Sequence, residues 1–413
     1  MTAASRTHDV VVFGATSFVG QILSRYLVDE YGGRGGLRWA IAGRSRAKLE
    51  ELRGSLGPSA ARLPIVVADA ADDRALRSMC EGSRVVISTV GPYALHGEPL
   101  VRACVETATD YCDLSGEPQW IRRMIDTYEA AARRSGARIV HCCGFDSIPF
   151  DLGVYFLQRE ARARFGKPCS RVKMRVKGMS GGMSGGTAAS MMNAFKELAA
   201  SPELRKQLAN PYSLCPKGYG PSVRQPNVKF AEYDRDFGGW VAPFVMAALN
   251  VRIVHRTNAL SRNAYGTDFR YDEAVFTGRG LRGRAFAAAI ASGIGGLAVA
   301  ASIGPLRSAL QRFVLPSPGT GPSPKQQKHG YFDLRFLGQT DDGRAIRAKV
   351  TGQGDPGYGS TSKMLGQAAA CLAKDIPHSR VGGGFWTPAT IFGDALVERL
   401  EKHAGMRFKV LED

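Results

Sequence analysis

Hydrophobic and polar positions follow two rhythms along the chain. In the first third, short apolar runs of strand length recur: Asp9 to Phe13, Leu37 to Ala42, Leu63 to Ala68, Arg84 to Val90 and Ala137 to Cys142. Between them lie segments with helical spacing, first Phe18 to Tyr31, where Val19, Ile22, Leu23 and Leu27 share one face. Further helices are predicted over about Arg46 to Leu56, Glu98 to Thr107 and Trp120 to Arg134, with a short strand near Thr109 to Asp113. Strand and helix in alternation over residues 1–150 predict an α/β domain with a doubly wound parallel sheet.

From about Asp151 the rhythm changes. Arg171 to Lys177 alternates basic and apolar residues, as in a strand with one wet face. Val251 to His255 and Tyr265 to Phe276 read as two more strands, which makes His255 a partly exposed strand residue. Tyr331 to Leu337 and Ala345 to Thr351 flank the Asp341-Asp342-Gly343 turn and predict a hairpin. Residues 151–355 therefore read as a second, α+β domain built on an antiparallel sheet. Within it, the glycine-rich run Gly178 to Thr187 ahead of a predicted helix over Ala188 to Ala200 is either a second anion or carbonyl site or a plain connection. Asn210 to Asn227 and Val314 to Gly330 read as loops. Ser360 to Lys374 reads as a helix, and Leu396 to Asp413 as a helix and a last short strand.

The stretch Ala285 to Leu306 carries no charge and is bracketed by Arg282, Arg284, Arg307 and Arg312. Its length suits a membrane span, while four glycines dilute its hydropathy. Three readings stay open: a span, a helix lying on a membrane surface, and a buried or acyl-tunnel helix.

Composition adds three constraints. At 413 residues and 44% apolar content there is material for two cores. The eight cysteines show no C-x-x-C pair or Cys/His ligand set, so neither zinc nor a disulfide framework is expected, and no export signal opens the chain. The net charge of +18 predicts anionic partners, whether phosphorylated cofactors, acidic carrier proteins or anionic lipid. No zinc finger, RNP signature or basic run interleaved with aromatics supports nucleic acid.

The candidate chemistry gathers at strand ends. Gly14-Ala15-Thr16-Ser17-Phe18-Val19-Gly20 is a strand-to-helix turn with the outer glycines of a dinucleotide fingerprint, Ser17 replacing the middle one. After the second strand stand Arg44, Ser45 and Arg46 with no acid, which favours a 2′-phosphate and hence NADP over NAD. Asp69 and Ala70 follow the third strand, where an acid reaches the adenine amino group or caps the next helix. Val90, Gly91 and Pro92 after the fourth strand, with Gly144 and Phe145 after the last, mark the nicotinamide side. Tyr93 is the first catalytic candidate, with Tyr111, Asp113 and Asp146 as alternatives. No metal site is expected.

These motifs, together with Thr109-Asp110-Tyr111, Cys143 to Pro149, Ser184 to Thr187, Pro318 to Ser323 and Thr387-Pro388-Ala389, resemble those of the saccharopine dehydrogenase-like oxidoreductases. Within that group the chain looks most like the mycobacterial trans-acting enoyl reductases. The resemblance implies a Rossmann-like first domain, a 356–413 segment that returns to it, NADP(H), and reduction of a double bond in a long-chain acyl or polyketide lipid bound to a synthase carrier. An enzyme of the cytoplasm, peripheral to the inner face of the plasma membrane and able to form a homodimer, fits this picture. Two alternatives remain: a lipid- or membrane-associated nucleotide-fold protein without catalysis, and a saccharopine-type amino-acid dehydrogenase, although the chain lacks an obvious double-arginine carboxylate clamp.

Overall fold

The computed structural model describes residues 6–32, 36–181, 190, 192–193, 196–197, 201–221, 223–306, 308 and 321–412. Most of the glycine-rich run, the helix expected over 188–200 and the motif Pro318 to Thr320 lie outside them. In chain order the strands are β1 (His8–Phe13), β2 (Trp39–Gly43), β3 (Ile65–Val67), β4 (Ser83–Ser88), β5 (Asp110–Asp113), β6 (Arg138–Val140) and β7 (Arg171–Ser180). Then come β8 (Glu232–Asp234), β9 (Gly239–Pro243), β10 (Arg270–Gly278), β11 (Tyr331–Gln339), β12 (Ala345–Gln353), β13 (Gly384–Trp386) and β14 (Met406–Leu411). The principal helices are α1 (Phe18–Tyr31), α2 (Arg46–Ser55), α3 (Asp73–Glu81), α4 (Glu98–Glu106), α5 (Pro118–Ser135), α6 (Ile148–Phe165), α7 (Ala247–Leu260), α8 (Gly280–Ser302), α9 (Thr361–Lys374) and α10 (Asp394–His403).

Two compact units result. The first comprises Met1–Phe145, Pro318–Gly321 and Gly357–Gly405, the second Asp146–Ser317, Pro322–Pro356 and Met406–Asp413. The first unit holds a seven-stranded sheet in the order β13-β6-β5-β4-β1-β2-β3, every neighbour parallel. The interior strand β1 explains the choice: Val10, Val11 and Val12 are β-branched and fully buried on both faces, as a parallel sheet under helices requires. The order reverses at β1, so the crevice beyond the carboxyl ends of β1 and β4 is the place for a ligand. Asp110 on β5 pairs with Arg138 on β6, both buried, and Arg138 also donates to the Ile376 and Leu372 carbonyls, which ties the end of α9 to the sheet.

The second unit holds a seven-stranded sheet in the order β14-β12-β11-β7-β10-β9-β8. It is mixed rather than antiparallel, because β10 runs parallel to β7 while the other neighbours are antiparallel. A parallel partner needs a crossover, and α7 lies in it. The Val251 to His255 strand expected from alternation does not form; that segment belongs to α7, in which Leu249 through Asn258 are almost all buried. A helix covered on most sides loses the amphipathic period that marks it in sequence. His255 is accordingly 1% exposed, and burial, aided by Arg252, lowers its pKa to about 3. The final strand β14 also joins this sheet, while Gly357–Gly405 belongs to the first unit.

Candidate active site

The turn after β1 is built by positions that exclude a side chain. Gly14 has φ +82°, and a Cβ there would stand 2.7 Å from a Val90 methyl carbon. At Gly20 a Cβ would fall 2.3 Å from the Gly14 carbonyl oxygen, so only glycine lets the first turn of α1 pass this close to the strand. The Gly14 and Ala15 amides donate to the Ala42 carbonyl at 3.0 and 3.1 Å, which fixes the turn against β2.

Ser17 has a definite role. It is the N-cap of α1: its Oγ accepts the Gly20 amide at 3.0 Å and donates to Thr89 Oγ1 at 3.0 Å, and Thr89 donates on to the Gly14 carbonyl at 2.9 Å. The departure from the fingerprint thus trades a glycine for a side-chain cap. The amides of Phe18 and Val19, which have no acceptor among the described residues, remain as donors at the positive end of a 14-residue helix. This is an arrangement for pyrophosphate.

At the end of β2, Arg44 is exposed with no partner among the described residues, Ser45 caps α2 by accepting the Lys48 amide, and Arg46 reaches Glu50 at 3.8 Å. Two guanidinium groups, a hydroxyl and no acid are a donor set suited to a 2′-phosphate. After β3, Asp72 takes the N-cap of α3, while Asp69 accepts the Ala71 amide with one oxygen and stays exposed with the other, beside Ala70.

The four catalytic candidates fare differently. Tyr93 is buried, donates its hydroxyl proton to the Ser88 carbonyl at 2.9 Å and accepts the Leu114 amide at 3.2 Å. Burial first, then nearby Asp113, raises its pKa well above the ordinary value. Its one proton is engaged and hard to remove, so its hydroxyl braces the loops after β4 and β5, which argues against the donor role expected from sequence. Tyr111 is fully buried, and burial, Asp113 and Tyr93 raise its pKa in turn. The carboxylate of Asp113 is occupied: it accepts the Ser115 and Cys142 amides at 3.0 Å each and meets His141 Nδ1 at 2.6 Å. Asp146, next in the chain to Phe145, is half-buried with no hydrogen-bond or ionic partner among the described residues, and burial alone lifts its pKa to about 6.

Several residues here escaped the sequence reading. Glu117 places its two oxygens 2.9 Å from the amides of Tyr93 and Ala94, capping the turn that follows Gly91-Pro92. His141 is held by Asp113 between the rings of Trp120 and Phe385, its Nε2 buried without a partner among the described residues. Thr361 at the start of α9 accepts the Phe145 amide at 2.9 Å, and a Cβ on Gly144 would stand 2.7 Å from the Leu114 side chain. Phe18 meets Tyr358 edge-on at 5.2 Å. The first unit therefore brings Gly14 to Gly20, Val90 to Pro92, Gly144 and Phe145 to the carboxyl ends of β1, β4 and β6 in one parallel sheet. Among the described residues no group of His, Cys, Asp and Glu is arranged to hold a metal ion.

Comparisons agree with this geometry. Residues 10–140 match the saccharopine dehydrogenase NADP binding domain family. Over 410 residues, and 97% of either chain, the sequence is 40% identical to a Mycobacterium tuberculosis protein provisionally named a trans-acting enoyl reductase. It is 37% identical over 414 residues to the trans-acting enoyl reductase of Mycobacterium bovis and 37% identical over 416 residues to that of Mycobacterium ulcerans, again over 97% of both chains. Among solved structures, apo saccharopine dehydrogenase (L-Glu forming) from Saccharomyces cerevisiae aligns over 98% of this chain and 99% of its own with a TM-score of 0.55 at 14% identity, which is a likeness of fold.

Proposed function

Because the chain belongs to the trans-acting enoyl reductase family, with an NADP-binding domain of the saccharopine dehydrogenase type, we propose that it reduces the carbon–carbon double bond of an enoyl group on a long-chain acyl or polyketide lipid carried by a separate synthase. The observation that carries the reading is the Gly14 to Gly20 turn, whose two obligatory glycines and open amides lie one strand away from the acid-free Arg44-Ser45-Arg46 tip.

Bound NADPH supplies a hydride for the β-carbon of the enoyl group. The chain does the rest. Phe18 and Val19 amides hold the pyrophosphate, Arg44 and Ser45 the 2′-phosphate, and the loops braced by Tyr93, Glu117 and Thr361 shape the reacting end. The α-carbon then needs a proton, and Asp146, which follows Phe145 directly in the chain, is a carboxyl that keeps a protonated fraction near neutral pH. Following NADPH oxidation with an enoyl thioester tests the reading directly. Failure to bind NADPH at millimolar concentration, measured by fluorescence titration, would remove the enzyme and leave a nucleotide-fold protein without catalysis.

A second observation bears on where the enzyme works. Among the described residues α8 is the one helix long and apolar enough to cross a membrane, with mean hydropathy 1.5 over its best window. It begins at Gly280, five positions before the uncharged stretch, so Arg282 and Arg284 lie within its first turns. Only 12% of that window is buried; Leu281 is 82%, Phe286 58% and Val299 61% exposed. The low burial favours a helix resting on a lipid surface over a core helix. This reading puts a cytoplasmic enzyme at the inner face of the membrane, where its substrate lipids collect. Vesicle co-sedimentation with a Phe286→Glu/Val299→Glu variant checks it: binding that survives both charges places the contact elsewhere.

A further inference from the structure

The solvent-facing side of the second sheet carries a line of cations. Alternation along β7, β11, β12 and β14 sends Val176, Leu334, Phe336, Ala348, Val350 and Phe408 to the buried face. The other face receives basic residues in register: Arg175, itself buried, stands opposite Arg335, Arg335 opposite Lys349, and Lys349 opposite Lys409, with exposure rising toward β14. Arg407 lies one pair further along β14, opposite Thr351, and Arg347 opposite Leu411.

Like charges directly opposite on neighbouring strands are destabilising. Part of the cost is offset: Arg175 pairs with Asp234 and Asp272, and Arg335 with Asp333. Lys349, Arg407 and Lys409 have no ionic partner among the described residues. Lysine on an edge strand guards against unwanted pairing, which accounts for Lys409. It does not account for Lys349 and Arg335, further inward on β12 and β11. Near the inner end lies an open cavity of about 420 Å³ lined by the paired Arg175 and Arg335 and by Lys177, Arg279, Arg347 and Phe237 among others; Lys177, Arg279 and Arg347 add positive charge with no ionic partner among the described residues.

We infer that this row is the docking surface for an acidic helix of the carrier protein that presents the acyl chain. Strands stand about 4.8 Å apart, so the three solvent-accessible cations in register, Arg335, Lys349 and Lys409, cover about 10 Å. Carboxylates three and four residues apart on a helix repeat at about 5–6 Å and match that spacing. A membrane fits this face less well, because membrane-surface elements insert apolar side chains between their cations, whereas the positions of β12 and β14 beside the row are Arg347, Thr351 and Arg407, with the half-buried Leu411 the one apolar neighbour on those two strands. Such a dock acts on encounter rate and salt dependence more than on chemistry.

The proposal rests on the enoyl reductase reading, and its test separates the two. Turnover by the full-length protein is compared for one enoyl group on a small thiol and on a phosphopantetheinylated acyl carrier protein. Lys349→Glu/Arg407→Glu/Lys409→Glu should raise KM for the carrier-borne substrate at least tenfold and leave kcat, and the small-thiol reaction, within twofold. The milder Lys349→Gln/Arg407→Gln/Lys409→Gln should give an intermediate rise and guards against misfolding of the reversal. Equal KM values for native and variant proteins overturn the dock. Should the native protein reduce neither substrate, the reductase reading fails, and anisotropy of labelled carrier protein decides alone: tenfold weaker binding to the variant supports the dock, unchanged binding rejects it. Loss of binding to phosphatidylglycerol vesicles with carrier binding intact rejects it also, in favour of lipid.

Discussion

At the scale of single residues, Asp146 and Arg44 carry the sharpest expectations. A proton donor works only while protonated, so with the Asp146 carboxyl raised to about 6 by burial, single-turnover reduction should fall as pH rises through that value. Asp146→Asn should lower the rate at least tenfold and flatten the profile; a variant that keeps the native limb removes Asp146 from the chemistry. Arg44→Ala should weaken NADPH binding by about 10- to 100-fold, the loss of one charge-assisted contact, and leave NADH binding unchanged. Equal loss for both cofactors would show that Arg44 does not discriminate the 2′-phosphate. Gly14, Gly20 and Arg44 were readable because each expresses a local demand of its own turn. Glu117 and His141 were not, because their partners Tyr93 and Asp113 lie 24 and 28 residues away, and meet them only when the loops after β4, β5 and β6 are brought together. The hydroxyl of Tyr93, prominent after Gly91-Pro92 in sequence, is in turn engaged on the Ser88 carbonyl and the Leu114 amide.

At the scale of elements, the caps decide how firmly the cofactor turn is held. Ser17→Ala removes both the α1 cap and the link to Thr89, and should cost about 1 kcal/mol in urea unfolding, whereas Ser17→Gly, which restores the common fingerprint, should cost a few tenths. A larger loss with glycine would assign the stability to the Thr89 link instead. The first sheet was legible strand by strand because fully buried parallel strands are continuous apolar runs, although β13 supplies an edge that a three-residue segment does not announce. The second sheet was less so. The Val251 to His255 segment reads as a strand-like run, yet α7 buries Arg252, His255 and the following Arg256 along with its apolar residues, so the local pattern yields to tertiary burial. For α8 the uncharged stretch was plain in sequence, but the start of the helix was not, since its arginines read as flanks.

At the scale of the whole molecule, buried charge sets the response to pH. Glu273 on β10 lies in the second unit, accepts Tyr271 Oη at 2.8 Å and Asn250 Nδ2 at 3.0 Å, and is lifted by burial to about 8. Its folded form therefore holds a proton that the unfolded chain releases from the ordinary glutamate range upward, and stability should decline from there until pH passes about 8. Urea midpoints at pH 6 and pH 8 should differ in the native protein and converge in Glu273→Gln; parallel declines would place the effect on another group. The division into a parallel and a second sheet followed from the two hydrophobic rhythms, but the threading did not, because strand order is fixed by crossovers that leave no periodic mark. That threading has a consequence for synthesis. Both units are assembled from separated stretches, and β14, which completes the second sheet beside β12, follows every residue of the first unit. On the ribosome β12 must wait with an open edge until β14 emerges behind the whole first unit, and cutting the chain after residue 145 leaves an N-terminal fragment without its edge strand β13, which stays on the fragment that carries all seven strands of the second sheet.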